Sequence, residues 1–281
     1  MRYLRNIKAF IILSRPVNVV IAFLSILLAG YLCGIGAAWH KLLLACLSGA
    51  LVTAGANAIN DFFDLEIDRI NKPFRPLPGG ALQPGDARFF ATGAFVLAVI
   101  AAGFISRVAV VITLTSAILL YWYSARLKRT VVWGNLTVAF VTGLAFIYGG
   151  VAVGRFEAAL IPAAFAFFMH FGREIIKDLE DVAGDRANGA RTLPVVHGLR
   201  PAQWLVTFLF GLLIPGTLLP YWMGIYGRWY LLVVIAGVQV VLAGSLLVMW
   251  MRPRPPMLRR LSAVLKADML VGLLAIYLGR W

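Results

Sequence analysis

The stretch KLLLACLSGALVTAGANAIN at residues 41–60, running straight into DFFDLEIDRIN at 61–71, carries both the fold and the chemistry. After Lys41 the first part holds no charge and has the length of a bilayer-crossing helix, about 20 residues. The second part changes character at once, with Asn60, Asp61, Asp64 and Asp68 crowded together. On a helix, Asp61, Asp64 and Asp68 share one face. Like charges on one face repel, so the arrangement calls for a compensating cation.

The pattern recurs. Asp178, Asp181 and Asp185 repeat the spacing at the end of another apolar stretch, within Lys177-Asp178-Leu179-Glu180-Asp181-Val182-Ala183-Gly184-Asp185. The two copies also continue alike. Asp68-Arg69-Ile70-Asn71 precedes Arg75-Pro76-Leu77-Pro78, and Asp185-Arg186-Ala187-Asn188 precedes Arg191-Thr192-Leu193-Pro194. Carboxylates and Asn60 make an oxygen-rich donor set suited to Mg²⁺, which binds through few carboxylates together with substrate phosphates. The duplication predicts two similar halves of four spans each plus a ninth, with the two acidic helix ends converging on one magnesium-bound diphosphate. Neither half offers a separate soluble core, so residues 1–281 are expected to form a single transmembrane domain.

Of the 281 residues 61% are hydrophobic and 14% charged. Apolar runs at 17–36, 41–60, 89–106, 108–125, 134–153, 157–173, 203–222, 229–250 and 264–279 predict an all-α, polytopic membrane bundle of about nine helices. The basic segment Met1–Arg15 leads into a run long enough to remain as a span, so no cleaved leader is expected. The net charge of +14 is not a nucleic-acid signal. With nine spans, all 26 Lys and Arg except Lys41, Arg107, Arg155, Arg228 and Arg280 fall on the N-terminal side. That bias predicts a cell (plasma or inner) membrane protein whose acidic motifs face the cytoplasm, amid anionic lipid.

The loops at 61–88 and 173–201 are long and rich in Pro and Gly, which predicts cytoplasmic caps. The front of the first should extend its helix and fail near Lys72-Pro73, because the residue before proline is pushed out of helical geometry. Cys33 and Cys46 read as small core residues, and Gly30 and Gly34 as a close helix contact. Asn57 shares the face of Asp61 and Asp64. His170, two turns before the second motif, reads as an interhelical hydrogen-bonding residue.

A diphosphate enters an acidic pocket only with metal between them, and the metal also stabilises charge on the departing group. If that diphosphate carries an allylic prenyl chain, its loss yields a resonance-stabilised cation that an apolar bundle shelters from water. The metal ligands would be Asn60, Asp61, Asp64, Asp68, Asp178, Asp181 and Asp185, with Asp64, Asp68, Asp181 and Asp185 central to catalysis. Substrate contacts would come from Arg15, Asn18, Lys72, Arg75, Tyr123, Arg126, Lys128, Arg173, Lys177 and Arg191. Two other classes fit less well. A CDP-alcohol phosphotransferase would show a single Asp-Gly-x-x-Ala-Arg signature, and a cation transporter would carry its carboxylates at mid-span.

These residues resemble the UbiA-type intramembrane prenyltransferases over essentially the whole chain. The family's Asn-Asp-x-x-Asp-x-x-x-Asp is matched by Asn60, Asp61, Asp64 and Asp68, and its second acidic motif by Asp181 and Asp185, with Asp178 added. Tyr123 to Arg129 looks like its basic loop. The resemblance implies nine helices, Mg²⁺ dependence and transfer of a prenyl group from its diphosphate to an acceptor. Gly172 to Asp181, Gly184-Asp185, Thr192-Leu193-Pro194, Ser14 to Asn18 and Lys266 to Leu270 look most like the digeranylgeranylglyceryl phosphate synthase branch, with Ala183 a departure from it. That branch implies geranylgeranyl diphosphate as donor and geranylgeranylglyceryl phosphate as acceptor. An aromatic acceptor, of the quinone, haem or chlorophyll kind, is the alternative within the family.

Overall fold

The computed structural model describes residues 2–280. The side chains of residues 1–6, Asn71 and residue 281 lie outside the described residues, among them Arg2 and Arg5 from the charge count and Asn71 from the first motif. The described residues form helices joined by short turns, with no strand among them. In chain order the helices are α1 (Arg2–Ser14), α2 (Pro16–Cys33), α3 (Trp39–Phe63), α4 (Leu65–Asn71), α5 (Pro84–Gly103), α6 (Arg107–Ala125) and α7 (Trp133–Ala152). They continue with α8 (Leu160–Ala187), α9 (Leu193–His197), α10 (Leu199–Gly216), α11 (Leu219–Trp222), α12 (Arg228–Val233), α13 (Val240–Met251) and α14 (Pro255–Leu278). A π-helical turn over Val234–Gln239 joins α12 to α13.

Among the described residues, nine helical segments are long and apolar enough to cross a membrane. Their outward faces agree. On α6, Val108, Val111, Leu114, Ile118 and Trp122 are all exposed, an apolar stripe that suits acyl chains and not water. The chain is a multi-pass membrane protein.

Helix ends differ from the apolar runs where charge and helix coincide. The eighth helix does not stop at Arg173 but continues to Ala187, so the second acidic motif lies on it and the expected loop of 173–201 shrinks to the turn before α9. The last helix begins at Pro255 rather than near 264, with Pro at its first turn, where a missing N–H costs nothing. Residues 2–14 also form a helix, burying Ala9 and Leu13. The boundary at Ser106-Arg107 is real, because the Ser106 hydroxyl caps α6 by accepting from Ala109 N at 3.1 Å. As expected, helix fails at Lys72, after α4.

The chain divides into two compact units, Met1–Arg126 with Leu144–Ala159, and Leu127–Gly143 with Leu160–Trp281. In the first, α3 packs against α1, α2, α5 and α6. Ala9, Leu13, Ala58, Ile59, Leu77, Leu82 and Ala87 form an apolar cluster that ties α1, α3, α5 and the 72–83 loop together. Cys33 and Cys46 are both buried, as small core residues should be. Gly30 permits the close approach of Leu42, which an added Cβ would meet at 2.3 Å, while Gly34 ends α2 at φ 86°. In the second unit, α8 packs against α10 and α14, and α14 against α12 and the π turn. Ile175, Ile176, Val206, Phe210, Leu242, Leu258 and Leu265 fill its core.

One core position of the second unit is costly. Asp268 on α14 is 4% exposed, and neither carboxyl oxygen has a hydrogen-bond partner. A buried polar group left unsatisfied costs about 1–3 kcal/mol. Asp268→Leu is therefore expected to raise the thermal midpoint in detergent. A lower midpoint would show that this carboxyl stabilises the unit.

Candidate metal and diphosphate site

Each acidic motif lies in a different one of the two compact units. In the first, α3 ends at Phe63 and α4 begins at Leu65, with Asp64 between them at φ −94°, ψ 4°. The hydrogen-bond ladder still runs through the joint, from Asp64 N to Asn60 O at 3.0 Å and from Asp68 N to Asp64 O at 2.8 Å. Asp61, Asp64 and Asp68 thus stay nearly in helical register. Asp61 and Asp68 are each 3% exposed, so their charges need partners close by.

Those partners are guanidinium groups. Arg75 Nη1 donates to Asp61 Oδ1 at 3.0 Å and to Asp68 Oδ2 at 2.5 Å. Arg15 Nη2 donates to the same Asp61 oxygen. Lys72 Nζ lies 3.9 Å from Asp68. Asn60 Nδ2 donates to Asp64 Oδ2 at 3.0 Å. Asn18 donates to Asn57 Oδ1 at 3.3 Å, and Asn57 to the Ser14 carbonyl at 2.8 Å. Asn57 therefore pins the α1–α2 joint to α3.

Two backbone features place the arginines. Arg15 sits between α1 and Pro16 in the left-handed region, φ 53° and ψ 75°. Proline disfavours the right-handed helical region for its predecessor, and a non-glycine residue held left-handed costs of order 1–3 kcal/mol. Arg75 is presented by a compact loop in which Pro76 and Leu77 are buried and Pro76 O accepts from Ala81 N and Leu82 N, at 2.9 and 3.1 Å. Gly80, at φ 70°, makes that turn.

In the second unit the motif lies on unbroken α8. Asn135 Nδ2 donates to Asp178 Oδ2 at 2.8 Å, and the Thr192 hydroxyl donates to Asp185 Oδ2 at 3.0 Å. Asp181 is exposed. Arg173 and Lys177 both bind buried Glu174, at 3.1 and 2.7 Å. Arg173 Nε also donates to the Ser262 carbonyl at 3.0 Å, so this arginine clips α8 to α14. Lys128 is half-buried in the 3-10 turn Leu127–Arg129, whose Arg129 carbonyl accepts from Arg191 N at 2.9 Å. The side chain of Arg191 is exposed. Val132, at φ 67°, bends the chain just before α7 and Asn135. His170 Nδ1 is buried without a partner, so the interhelical hydrogen bond expected there is not made through that atom.

Two basic-loop residues belong to the first unit. Tyr123 is half-buried in the last turn of α6, and the exposed Arg126 guanidinium stacks over Trp122, 5.3 Å from the ring centre.

Asn135, Thr192 and Glu174 are the polar partners that sequence reasoning missed. An asparagine in the apolar run 134–153, where a polar side chain is costly and marks a buried polar partner, was the available signal for the first.

Taken by itself, neither motif gathers three carboxylates round one point among the described residues. The donor chemistry nonetheless fits Mg²⁺. Both motifs offer oxygen ligands only, and the buried pair Asp61 and Asp68 already holds positive charge between its carboxylates.

The UbiA prenyltransferase family model matches residues 18–266. A digeranylgeranylglyceryl phosphate synthase from Methanothermobacter thermautotrophicus is 35% identical over 272 residues, covering 96% of this chain and 95% of that one. A solved digeranylgeranylglyceryl phosphate synthase structure aligns over 98% of each chain at 31% identity, with a TM-score of 0.80. A UbiA homolog from Archaeoglobus fulgidus, bound to DMAPP and Mg²⁺, shares the fold at 20% identity and TM-score 0.67, covering 95% of this chain and 99% of that one.

Proposed function

Because the chain belongs to the UbiA prenyltransferase family, we propose that it transfers geranylgeranyl from its diphosphate to geranylgeranylglyceryl phosphate, in ether-lipid synthesis. The observation that carries this reading is end-to-end similarity to digeranylgeranylglyceryl phosphate synthases in sequence and in fold. We further propose that transfer takes place in the cell membrane with both acidic motifs on the cytoplasmic side, as the distribution of Lys and Arg favours.

Asn60, Asp61, Asp64, Asp68, Asp178, Asp181 and Asp185 would together hold two Mg²⁺ ions with the diphosphate. Bound Mg²⁺ supplies Lewis-acid neutralisation of the diphosphate as it leaves. The protein's own groups do the rest. Arg15, Lys72, Arg75, Lys128, Lys177 and Arg191 bring cationic donors to phosphate oxygens, with the arginines suited to bidentate contacts. Arg173, Arg126, Tyr123 and Asn18 shape the surroundings of the substrates. Apolar helix faces exclude water, so the allylic cation meets the acceptor's hydroxyl first. The new C–O bond forms at the carbon that loses diphosphate, and the hydroxyl proton departs to a carboxylate or to the diphosphate.

Asn135 holds Asp178 from outside the ligand set. Such outer partners are typically worth 10–100-fold in affinity or activity. Asn135→Ala is expected to lower the transfer rate by about that factor with little change in thermal midpoint. Full activity in this variant would remove Asn135 from the account.

The acceptor is tested with purified protein, Mg²⁺, labelled geranylgeranyl diphosphate and a panel of glyceryl-phosphate and aromatic acceptors. Product is expected with geranylgeranylglyceryl phosphate. Product formed only on an aromatic acid would overturn the lipid acceptor and keep the reaction type.

A further inference from the structure

We propose that Arg75 and Arg15 stand in for the metal on the first acidic motif, so that this motif takes up a divalent cation together with diphosphate and resists taking one alone. The inference rests on the reading that Asp61 and Asp68 serve Mg²⁺.

The geometry is specific. One nitrogen, Arg75 Nη1, lies between the two buried carboxylates, 3.0 Å from Asp61 Oδ1 and 2.5 Å from Asp68 Oδ2. A cation bound by both carboxylates would claim that same position. Arg15 adds a second guanidinium on Asp61. Two nearly buried anions this close are strongly unfavourable without a counter-charge, and the arginines provide one within the chain. Arg15 does so from a backbone conformation that is itself costly.

A divalent ion arriving alone must displace Arg75 and leave its guanidinium, 25% exposed, without an anion. An ion arriving with diphosphate brings the anion that the freed guanidinium fork is shaped to bind. Metal and diphosphate binding are therefore coupled through Arg75. Coupling of this kind is reciprocal, with each ligand tightening the other by the same factor.

The test uses the full chain in detergent, with Mn²⁺ as probe and inorganic pyrophosphate as the anion. Bound Mn²⁺ is measured by equilibrium dialysis against a protein-free control. Arg75→Gln is expected to bind Mn²⁺ alone about tenfold more tightly than wild type, within the usual range for coupled sites. Pyrophosphate should tighten Mn²⁺ binding in wild type by more than in Arg75→Gln. Arg75→Lys keeps the charge without the fork and should fall between them. Should Arg75→Gln elute aggregated, Arg15→Gln, which removes one of the two guanidinium groups on Asp61 and leaves Arg75 in place, is expected to tighten Mn²⁺ alone in the same direction by a smaller factor, and no tightening in it would overturn the stand-in role. Wild type that takes up Mn²⁺ with pyrophosphate, beside an Arg75→Gln protein no tighter for Mn²⁺ alone, overturns the stand-in role while leaving the metal reading intact. Failure of wild type to bind Mn²⁺ even with pyrophosphate removes both.

Discussion

Asp64→Ala and Asp181→Ala are each expected to reduce prenyl transfer by on the order of 10³-fold, the scale seen when a group stabilising developing charge is removed, and to leave a folded, membrane-inserted protein. These two positions are the clean choices within their motifs. Asp64 is half-buried at the α3–α4 joint and Asp181 is exposed on α8, so alanine opens no cavity at either. Asp61 and Asp68 are poorer choices, because losing either carboxylate leaves the guanidinium of Arg75 with one buried partner instead of two. Their variants would mix lost chemistry with lost stability. The check is a transfer assay at limiting Mg²⁺ beside a thermal melt. Normal activity in both variants would rule out the metal assignment, whatever their stability.

Gly149→Val should destabilise the first unit by about 3 kcal/mol or more, beyond the usual range for overpacking. A Cβ at Gly149 would lie 2.2 Å from the Ile26 carbonyl oxygen, 2.9 Å from Ala29 Cβ and 3.1 Å from Gly30 N. Those atoms are backbone, or sit directly on it, and belong to α2. No rotamer change relieves the clash, so α2 and the second half of α7 must separate. Gly93 on α5 provides the control, with nothing within 4 Å of an added Cβ. Gly93→Ala should be neutral or gain up to about 1 kcal/mol from helix propensity. Thermal melts in detergent distinguish the two, and equal midpoints for both variants would contradict the tight α2–α7 contact.

Apolar runs located every span, because lipid-facing and core-facing residues are both hydrophobic and a crossing helix needs about 20 of them. The same signal misplaced the ends of α8 and α14. It registers apolarity, whereas helix geometry is set by backbone hydrogen bonding and continues through Lys177–Asp185 and Arg259-Arg260 without regard to charge. The acidic residues themselves were legible from spacing. Their partners were not, since Arg15 reaches Asp61 across 46 residues and Asn135 reaches Asp178 across 43. Such contacts depend on tertiary packing, which no local pattern encodes. The role of Arg15 depends further on a left-handed backbone that only the following Pro16 hints at. Charge pairing near the second motif was not legible either: Arg173 and Lys177 read as donors for an anion, and the structure pairs both with Glu174 on the same helix.

The most direct measurement follows product and pyrophosphate together. Purified protein is incubated with labelled geranylgeranyl diphosphate and geranylgeranylglyceryl phosphate, with Mg²⁺ or with EDTA, and lipid product is identified by mass. The account predicts one inorganic pyrophosphate released for each doubly geranylgeranylated lipid formed, and neither in EDTA. Equal yields with and without the chelator, or pyrophosphate released with no alkylated lipid, would contradict it.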